Sequence, residues 1–552
     1  MPRPYDGRDV RGMSGPPTCM ESSAEIEIAG LLAEAQREQL RGRIGRSEQC
    51  YRSVLAAAPH HALAHTNLAV VLHQLQRSQE ALEHARAAVA LAADSVDAVR
   101  NCAVLLSDLG RWAEAAPYFE RWAALDSNNP AAHQMLGDSY ARRGLRAQAI
   151  PPYAKALTLD PDSVDVANNL GACLAEEGHR AEALAFLVKA VELKPTSPAA
   201  WANLGVATKN LGKVETALAC FNKTLALDAA HVNALWNRSL CLLALGRLVE
   251  GWAEYEWRWK AEGLGPERPF PQPRWDGSDA AGKTILVWPE QGLGDQIAFA
   301  GMLPDLLGTG ARCVVECEPR LVALFRRSFP GAEVVPFTAM PHPRTQQADI
   351  GYQIPAASLA RWFRQSLESF PQHHGYLMPD PLRAAQWKER LDRLGDGRKI
   401  GICWRSGLAQ GMRSMHYAQL NQWGPILATP GVQFVNLQYD QCDEEVREAE
   451  RQFGTHFHQW DDMDLRNDQE GVAALIAALD LVISAGTAVD QLAGAVGTPA
   501  WVLTRGASDW WGLGTDYCPW YPSIRVFRCG AGEPWEPVVE KMAAELVQPR
   551  ES

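Results

Sequence analysis

The sequence predicts an array of paired helices followed by an α/β domain built from two parallel sheets. Three observations lead there. From Ile28 to about Trp259, residue types recur with a spacing of 34. Beyond Gly282, short apolar β-leaning runs alternate with helical patterns, as parallel α/β architecture requires. The 552 residues are 47% hydrophobic and 21% charged, enough apolar material for several cores of ordinary size.

The repeat registers begin at Ile28, Ala62, Val96, Pro130, Val164, Pro198 and Val232. The eighth place in each is small: Ala35, Ala69, Ala103, Gly137, Gly171, Gly205, Ser239. The twentieth is small too, running Ser47, Ala81, Ala115, Ala149, Ala183, Ala217, Gly251. Small residues at both places let two helices approach closely. Gly110, Gly144, Gly178, Gly212 and Gly246 end the first helix of a pair. Tyr153, Phe221 and Tyr255, at the twenty-fourth place, are expected to fill the gap to the next repeat.

Period and residue types resemble the tetratricopeptide repeat, most clearly in WANLGVATKNLGKVETALACFNKTLALD from Trp201. The resemblance implies an α-solenoid of seven tetratricopeptide repeats over residues 28–265, with a concave face suited to peptides. The sixth place reads Asn67, Asn101, Asn169, Asn203 and Asn237, interrupted by Met135. A carboxamide both donates and accepts, so this column suits an extended peptide backbone; Asn is also simply common at that place. Tetratricopeptide protein O-GlcNAc transferases carry a similar column. Residues 1–27, polar and rich in Pro and Gly, read as a disordered tail without a signal peptide.

After Trp259 the repeat decays into a Pro- and Gly-rich stretch, read as a linker over 266–281. Expected strands follow at Ile285–Trp288, Cys313–Cys317, Val334–Phe337, Lys399–Trp404, Val432–Leu437, Leu481–Ile483 and Ala500–Leu503. The length suits two sheets, with Pro379–Arg398 as the helix and connector between lobes spanning 282–396 and 397–548. In the first lobe, TILVW breaks at Pro289 and turns through Gly292 and Gly294 into a helix that opens at Asp295. A strand, a glycine turn and a helix N-terminus form an anion-binding corner. The third glycine of a dinucleotide fingerprint is missing, and Asp295 would repel a pyrophosphate. The corner therefore fits either a plain N-cap or a catalytic carboxylate facing a neutral acceptor. In the second lobe, KIGICWRSG turns at Ser406 beside Arg405, and Gly486-Thr487 opens another helix whose free N–H groups suit a phosphate. Thr487 also fits an N-cap, and Arg405 also fits a surface arginine.

EQGLGDQIAFA, GICWRSG, DLVISAGTAVDQLAGAVGTPAWVL and PWYPS together resemble glycosyltransferase family 9, the heptosyltransferase-like enzymes, and more closely bacterial proteins that fuse tetratricopeptide repeats to such a domain. The resemblance covers nearly everything after Trp275. It implies a GT-B fold: two Rossmann-like lobes facing across a cleft, metal-independent, with the acceptor on the first lobe and a nucleotide-sugar on the second. Asp295 matches the family's acidic residue after the glycines and would be the general base of an inverting displacement, chemistry a carboxylate performs if desolvation raises its pKa. Gly292, Gly294, Gln296, Arg405, Ser406, Gly486, Thr487, Asp490 and Gln491 would line the nucleotide-sugar site, with Arg405 offsetting leaving-group charge. The chain departs from the family at Gly486, where Asp is common, and at Asp490-Gln491, near which a His is usual. Those departures open the donor to sugars other than heptose.

The expectation is a cytoplasmic protein O-glycosyltransferase that modifies Ser or Thr of a polypeptide held by the repeats. Among fused proteins of this kind some resemble flagellin glycosyltransferases with a CMP-linked nonulosonic acid donor, which points to flagellin as acceptor and a CMP- or UDP-linked sugar. The alternatives are a tetratricopeptide scaffold with a degenerate transferase domain, and a transferase acting on lipopolysaccharide or another glycan. A formal charge of −12 argues against broad nucleic-acid contact. Twelve cysteines without a CxxC pair, and Asp461, Asp462 and Asp464 in one loop, read as core thiols and a solvated acidic turn in preference to metal ligands. No apolar run is long enough to span a bilayer.

Overall fold

The computed structural model describes residues 23–261, 267–407, 417–506, 510–530 and 532–547. Most of the expected tail and the 262–266 stretch thus lie outside the described residues. The chain divides into two compact units, Met1–Pro195 and Thr196–Ser552.

Among the described residues the first unit holds ten helices packed in consecutive pairs, from Ser23–Leu40 to Arg180–Leu193. The registers at Ala62, Val96, Pro130 and Val164 coincide with first helical residues. Side chains just before them cap the helices: Ser95 Oγ accepts from the Ala98 amide, and His61 Nδ1 accepts from the Ala64 amide at 3.2 Å. The large residue at the twenty-fourth place reaches the next repeat at Tyr153, whose hydroxyl shares Asp138 with Asn169, and it has a second role. It also covers the small residue of its own repeat: a Cβ on Gly137 would meet the Tyr153 ring at 2.6 Å, and one on Gly171 would meet Leu187 at 2.7 Å. Side-chain size is therefore balanced within each pair.

The glycines between the two helices of a pair adopt the left-handed conformation, with φ of 73° at Gly110 and 77° at Gly144. One repeat has no glycine there. Gln76 holds the same conformation at φ 62°. A β-carbon is strained in that region and glycine is not, so Gln76→Gly is expected to raise stability by up to about 1 kcal/mol, read as a shift in the chemical-unfolding midpoint.

The second unit opens with two further pairs, Pro198–Asn210 with Val214–Leu227 and Val232–Ala244 with Leu248–Tyr255, and continues into two parallel sheets. The first sheet comprises β1 (Thr284–Trp288), β2 (Arg312–Cys317), β3 (Ala332–Pro336) and β4 (Ile350–Pro355), in the order β3-β2-β1-β4. The second comprises β5 (Arg398–Cys403), β6 (Val432–Asn436), β7 (Phe457–His458), β8 (Leu481–Ala485), β9 (Ala500–Arg505) and β10 (Ile524–Cys529), in the order β10-β9-β8-β5-β6-β7. Three of these strands, β4, β7 and β10, were not expected from sequence, and all three lie at sheet edges. Alternation in β2 puts Cys313, Val315 and Cys317 into the main core and Val314 into a smaller cluster on the other face. Burial raises both thiols to about 12, as expected of core cysteines.

The last repeat is built into the α/β region. Leu243, Trp252 and Tyr255 share one hydrophobic cluster with Ile285, Phe299 and Trp520. The Trp252 ring meets Trp510 and Trp520 edge-on, with centroids 6.1 and 6.2 Å away.

Candidate functional site

The first corner of the site follows β1. The helix runs Leu293–Ala300, and its N-cap is Gly292, three residues earlier than the sequence suggested. Asp295 is thus not the cap. It occupies the third helical position and its Oδ2 accepts from the Gly292 amide at 3.0 Å. The residue that makes the turn is Gln291, at φ 59°. Gly294 serves close approach instead: a Cβ there would lie 3.3 Å from the Ala488 Cα of the second corner.

That second corner follows β8 and has the same grammar. Thr487 caps the helix Ala488–Val496, its hydroxyl accepting from the Val489 amide at 3.2 Å, and Asp490 at the third position accepts from the Thr487 amide. Two helix N-termini, each with a carboxylate in its first turn, therefore abut.

A cavity of about 370 Å³ opens there, lined by Gly294, Asp295, Gly486, Thr487, Asp490 and Gln491 together with residues of β9, β10 and the segment between them. Burial raises the Asp295 carboxyl to about 6, with the nearby Glu290 adding to the effect and the Gly292 amide opposing it. A carboxylate tuned so can take a proton near neutral pH. Gln491 Nε2 donates to Asp490 Oδ2 at 2.8 Å, whereas its buried Oε1 has no hydrogen-bond partner among the described residues. That leaves one buried acceptor without a donor among the described residues.

Gln296, Arg405 and Ser406 are not part of this cavity. Gln296 is buried behind the helix, where its Oε1 accepts from the Glu318 amide at 2.8 Å. Arg405 lines a separate depression beside Tyr417 and Trp535. Its guanidinium pairs with Asp440 and with Glu445, the latter at 2.6 Å, and these carboxylates hold its pKa above the usual arginine value. Ser406 lies near Tyr439, whose hydroxyl donates to its Oγ at 3.4 Å.

The cation at the cavity is one the sequence reading missed, Arg528 on β10. Its guanidinium donates to the Asp516 and Thr515 carbonyls at 3.0 and 3.2 Å, and among the described residues no carboxylate pairs with it. Trp511, stacked on Phe299 and Trp510, and Tyr517 add aromatic side chains to the wall. The available signal was weak: one arginine in an edge strand, and a Trp pair before the PWYPS motif.

The Asn column is engaged in the structure in several ways. In the first unit Asn67 and Asn101 are buried, the Oδ1 of Asn101 without a hydrogen-bond partner among the described residues, and Asn169 donates to Asp138, which also accepts from the Tyr153 hydroxyl at 2.6 Å. In the second unit Asn203 is half-buried, and Asn237 Oδ1 accepts from Lys209 Nζ at 2.7 Å. Burial lowers the pKa of that lysine.

Comparison with known proteins matches this chain to the tetratricopeptide repeat at residues 32–96, 98–131, 140–208 and 202–256. The N-terminal region is a tetratricopeptide array. A curated relative, Protein FlbA of Caulobacter vibrioides, is 42% identical over 328 residues, covering 56% of this chain and 54% of the relative. The chain thus spans about half the length of that relative. Among solved structures, YrrB, a tetratricopeptide protein with an unusual peptide-binding site, is 23% identical at a TM-score of 0.32, covering 34% of this chain and 95% of its own. A tetratricopeptide protein of Parabacteroides merdae is 17% identical at a TM-score of 0.35, covering 44% and 95%. Among the described residues no helix is long and apolar enough to cross a membrane.

Proposed function

We propose that the chain is an inverting, metal-independent glycosyltransferase of GT-B architecture that moves a sugar from a nucleotide-sugar to Ser or Thr of a protein held by the repeats. One observation carries the reading: a carboxyl poised at about 6 stands where two helix N-termini abut beside a cavity. Asp295 takes the proton from the acceptor hydroxyl as its oxygen attacks the anomeric carbon. The nucleotide phosphate leaves, and the charge it gains is offset by Arg528 in place of Arg405. Tyr517 offers a ring for a base or sugar, and the orphan Gln491 Oε1 accepts from a ligand hydroxyl or N–H. The resemblance to glycosyltransferase family 9 supports the reaction class, and the tetratricopeptide array supports a polypeptide acceptor. Flagellin as acceptor and a CMP- or UDP-linked donor rest on the resemblance alone.

Titration calorimetry with CMP, UDP and GDP tests the donor side. One of them is expected to bind, and Arg528→Met is expected to weaken it by about 10- to 100-fold, the worth of a lost charge-assisted hydrogen bond. Failure of all three to bind would count against the reading. A scaffold that binds without turnover is the second reading, favoured by the commitment of Arg405 to Asp440 and Glu445. It predicts nucleotide binding with no sugar released in the presence of any captured partner.

A further inference from the structure

We propose that Tyr255 and Arg258, at the closing end of the last repeat, are positioning residues for Asp295. The functional meaning of this proposal rests on Asp295 as the base. The last repeat would then be part of the site.

The segment between β1 and the first corner is short, and its two key residues are both held from the repeat. Glu290 is buried, and its carboxylate accepts from Arg258 Nε at 2.6 Å, from Arg258 Nη2 at 2.9 Å and from the Ala357 amide at 2.9 Å. Arg258 is itself 1% exposed and also donates to Ser358 Oγ at 2.8 Å and to the Tyr255 carbonyl at 3.1 Å. Although burial works against its charge, Glu290 and Glu256 hold the guanidinium protonated. Glu290 is thus fixed in place and its charge is compensated by a cation from the repeat.

Gln291 needs support of another kind. Its left-handed backbone is strained for a residue with a side chain, and such conformations persist only when the surroundings hold them. Its Nε2 donates to the Tyr255 hydroxyl at 3.2 Å. That hydroxyl has little freedom, because the Tyr255 ring lies between Trp236 and Trp252 at 5.0 and 5.4 Å, with the Arg258 guanidinium 4.6 Å from its face. The next residue is Gly292, whose amide holds the Asp295 carboxylate. Strut, turn, cap and carboxylate form one chain of contacts.

Electrostatics follows the same route. Glu290 works to raise the Asp295 pKa, and Arg258 offsets Glu290. The other charged or titratable groups are Tyr255 and Glu256 from the repeat, the latter paired with Arg258 at 3.1 Å and with Arg274 at 2.6 Å, Asp490 from the helix Ala488–Val496, and Tyr517, Cys518 and Arg528 across the cavity. None of these but Tyr255 is altered in the test.

The test needs no ligand. Full-length protein carrying isotopically labelled aspartate carboxyls is titrated by NMR, with Asp295 assigned by the resonance lost in Asp295→Asn. The wild-type midpoint is expected near 6. Arg258→Met, which leaves Glu290 uncompensated, is expected to raise it by roughly half a unit or more. That single variant leaves a buried charge and can fail to fold. The double variant Arg258→Met, Glu290→Gln replaces the pair by neutral groups of similar size, and its midpoint is expected below the wild-type value. Tyr255→Phe is expected to speed hydrogen exchange at the Gly292 amide by about fivefold or more, with global unfolding unchanged. Glu290→Gln alone keeps Arg258, with Glu256 as its remaining partner at 3.1 Å, and a midpoint in the double variant equal to that of Glu290→Gln overturns the role of Arg258. Unchanged Gly292 exchange overturns the role of Tyr255. Asp295→Asn turnover is read separately. If it stays active, the base reading fails while the contacts stand. If it is inactive and both readouts are unmoved, this inference alone fails.

Discussion

Asp295→Asn is expected to lower sugar transfer by about 100- to 10,000-fold, the range for loss of a general base, with thermal unfolding close to wild type. The fold survives because an asparagine Oδ1 still accepts from the Gly292 amide, as Asp295 Oδ2 does at 3.0 Å. What is lost is proton affinity. The pH profile gives the second readout. With the carboxyl raised to about 6, the base is protonated and idle below that value and ionised above it. Wild-type kcat/KM is therefore expected to rise with pH through about 6 and then level. The residual rate of the Asn variant should lack that limb. A limb that persists in Asp295→Asn assigns the titration to another group.

Gly497→Ala is expected to destabilise the second unit by about 3 kcal/mol or more, or to abolish its folding. Gly497 ends the helix Ala488–Val496 at φ 90°, and a Cβ there would stand 1.6 Å from the His374 carbonyl oxygen. Backbone cannot yield as a side-chain tip does. On the other side of the contact, a Cβ on Gly375 would lie 2.6 Å from the Val496 carbonyl carbon, and the Tyr376 and Leu377 amides donate to the Ala495 carbonyl at 2.7 and 2.9 Å. The crossover between the sheets thus runs over the C-terminal end of the helix whose N-terminus carries Thr487 and Asp490. The loss would be read as a lowered denaturation midpoint, and nucleotide binding should fall with it. A stability within 1 kcal/mol of wild type, small for a mutation of this kind, would mean the close crossover is absent in solution.

The repeats were legible because their period is enforced at many places at once. Helix starts fell on the expected registers from Ala62 to Val232 since small residues at two places, a cap and a left-handed turn must all recur for pairs to stack. The central strands were legible for a different reason. A strand buried on both faces of a parallel sheet reads as an apolar run, as in Ile400–Cys403 or Leu481–Ile483. The edge strands β4, β7 and β10 carry Gly, Gln, Arg and His among their residues and lack such a run.

The candidate site was legible at its corners and obscure across them. Asp295, Thr487, Asp490 and Gln491 lie in strand-turn-helix segments whose spacing marks them. Arg528 and Trp511 reach the same cavity through tertiary folding, and nothing local distinguishes them. Arg405 misled for the same reason. Its neighbours in sequence suggested a phosphate, whereas Asp440 and Glu445, distant in sequence, occupy it.

The most direct measurement of sugar transfer is the intact mass of proteins captured by the full-length chain from cells carrying either the wild type or Asp295→Asn. The account predicts a sugar-sized increment on a captured protein with the wild type and its absence with the variant, the partner still bound. An increment that persists in Asp295→Asn but disappears when the gene is removed would contradict the assigned base. Captured partners whose masses do not depend on the gene at all would contradict the transferase itself.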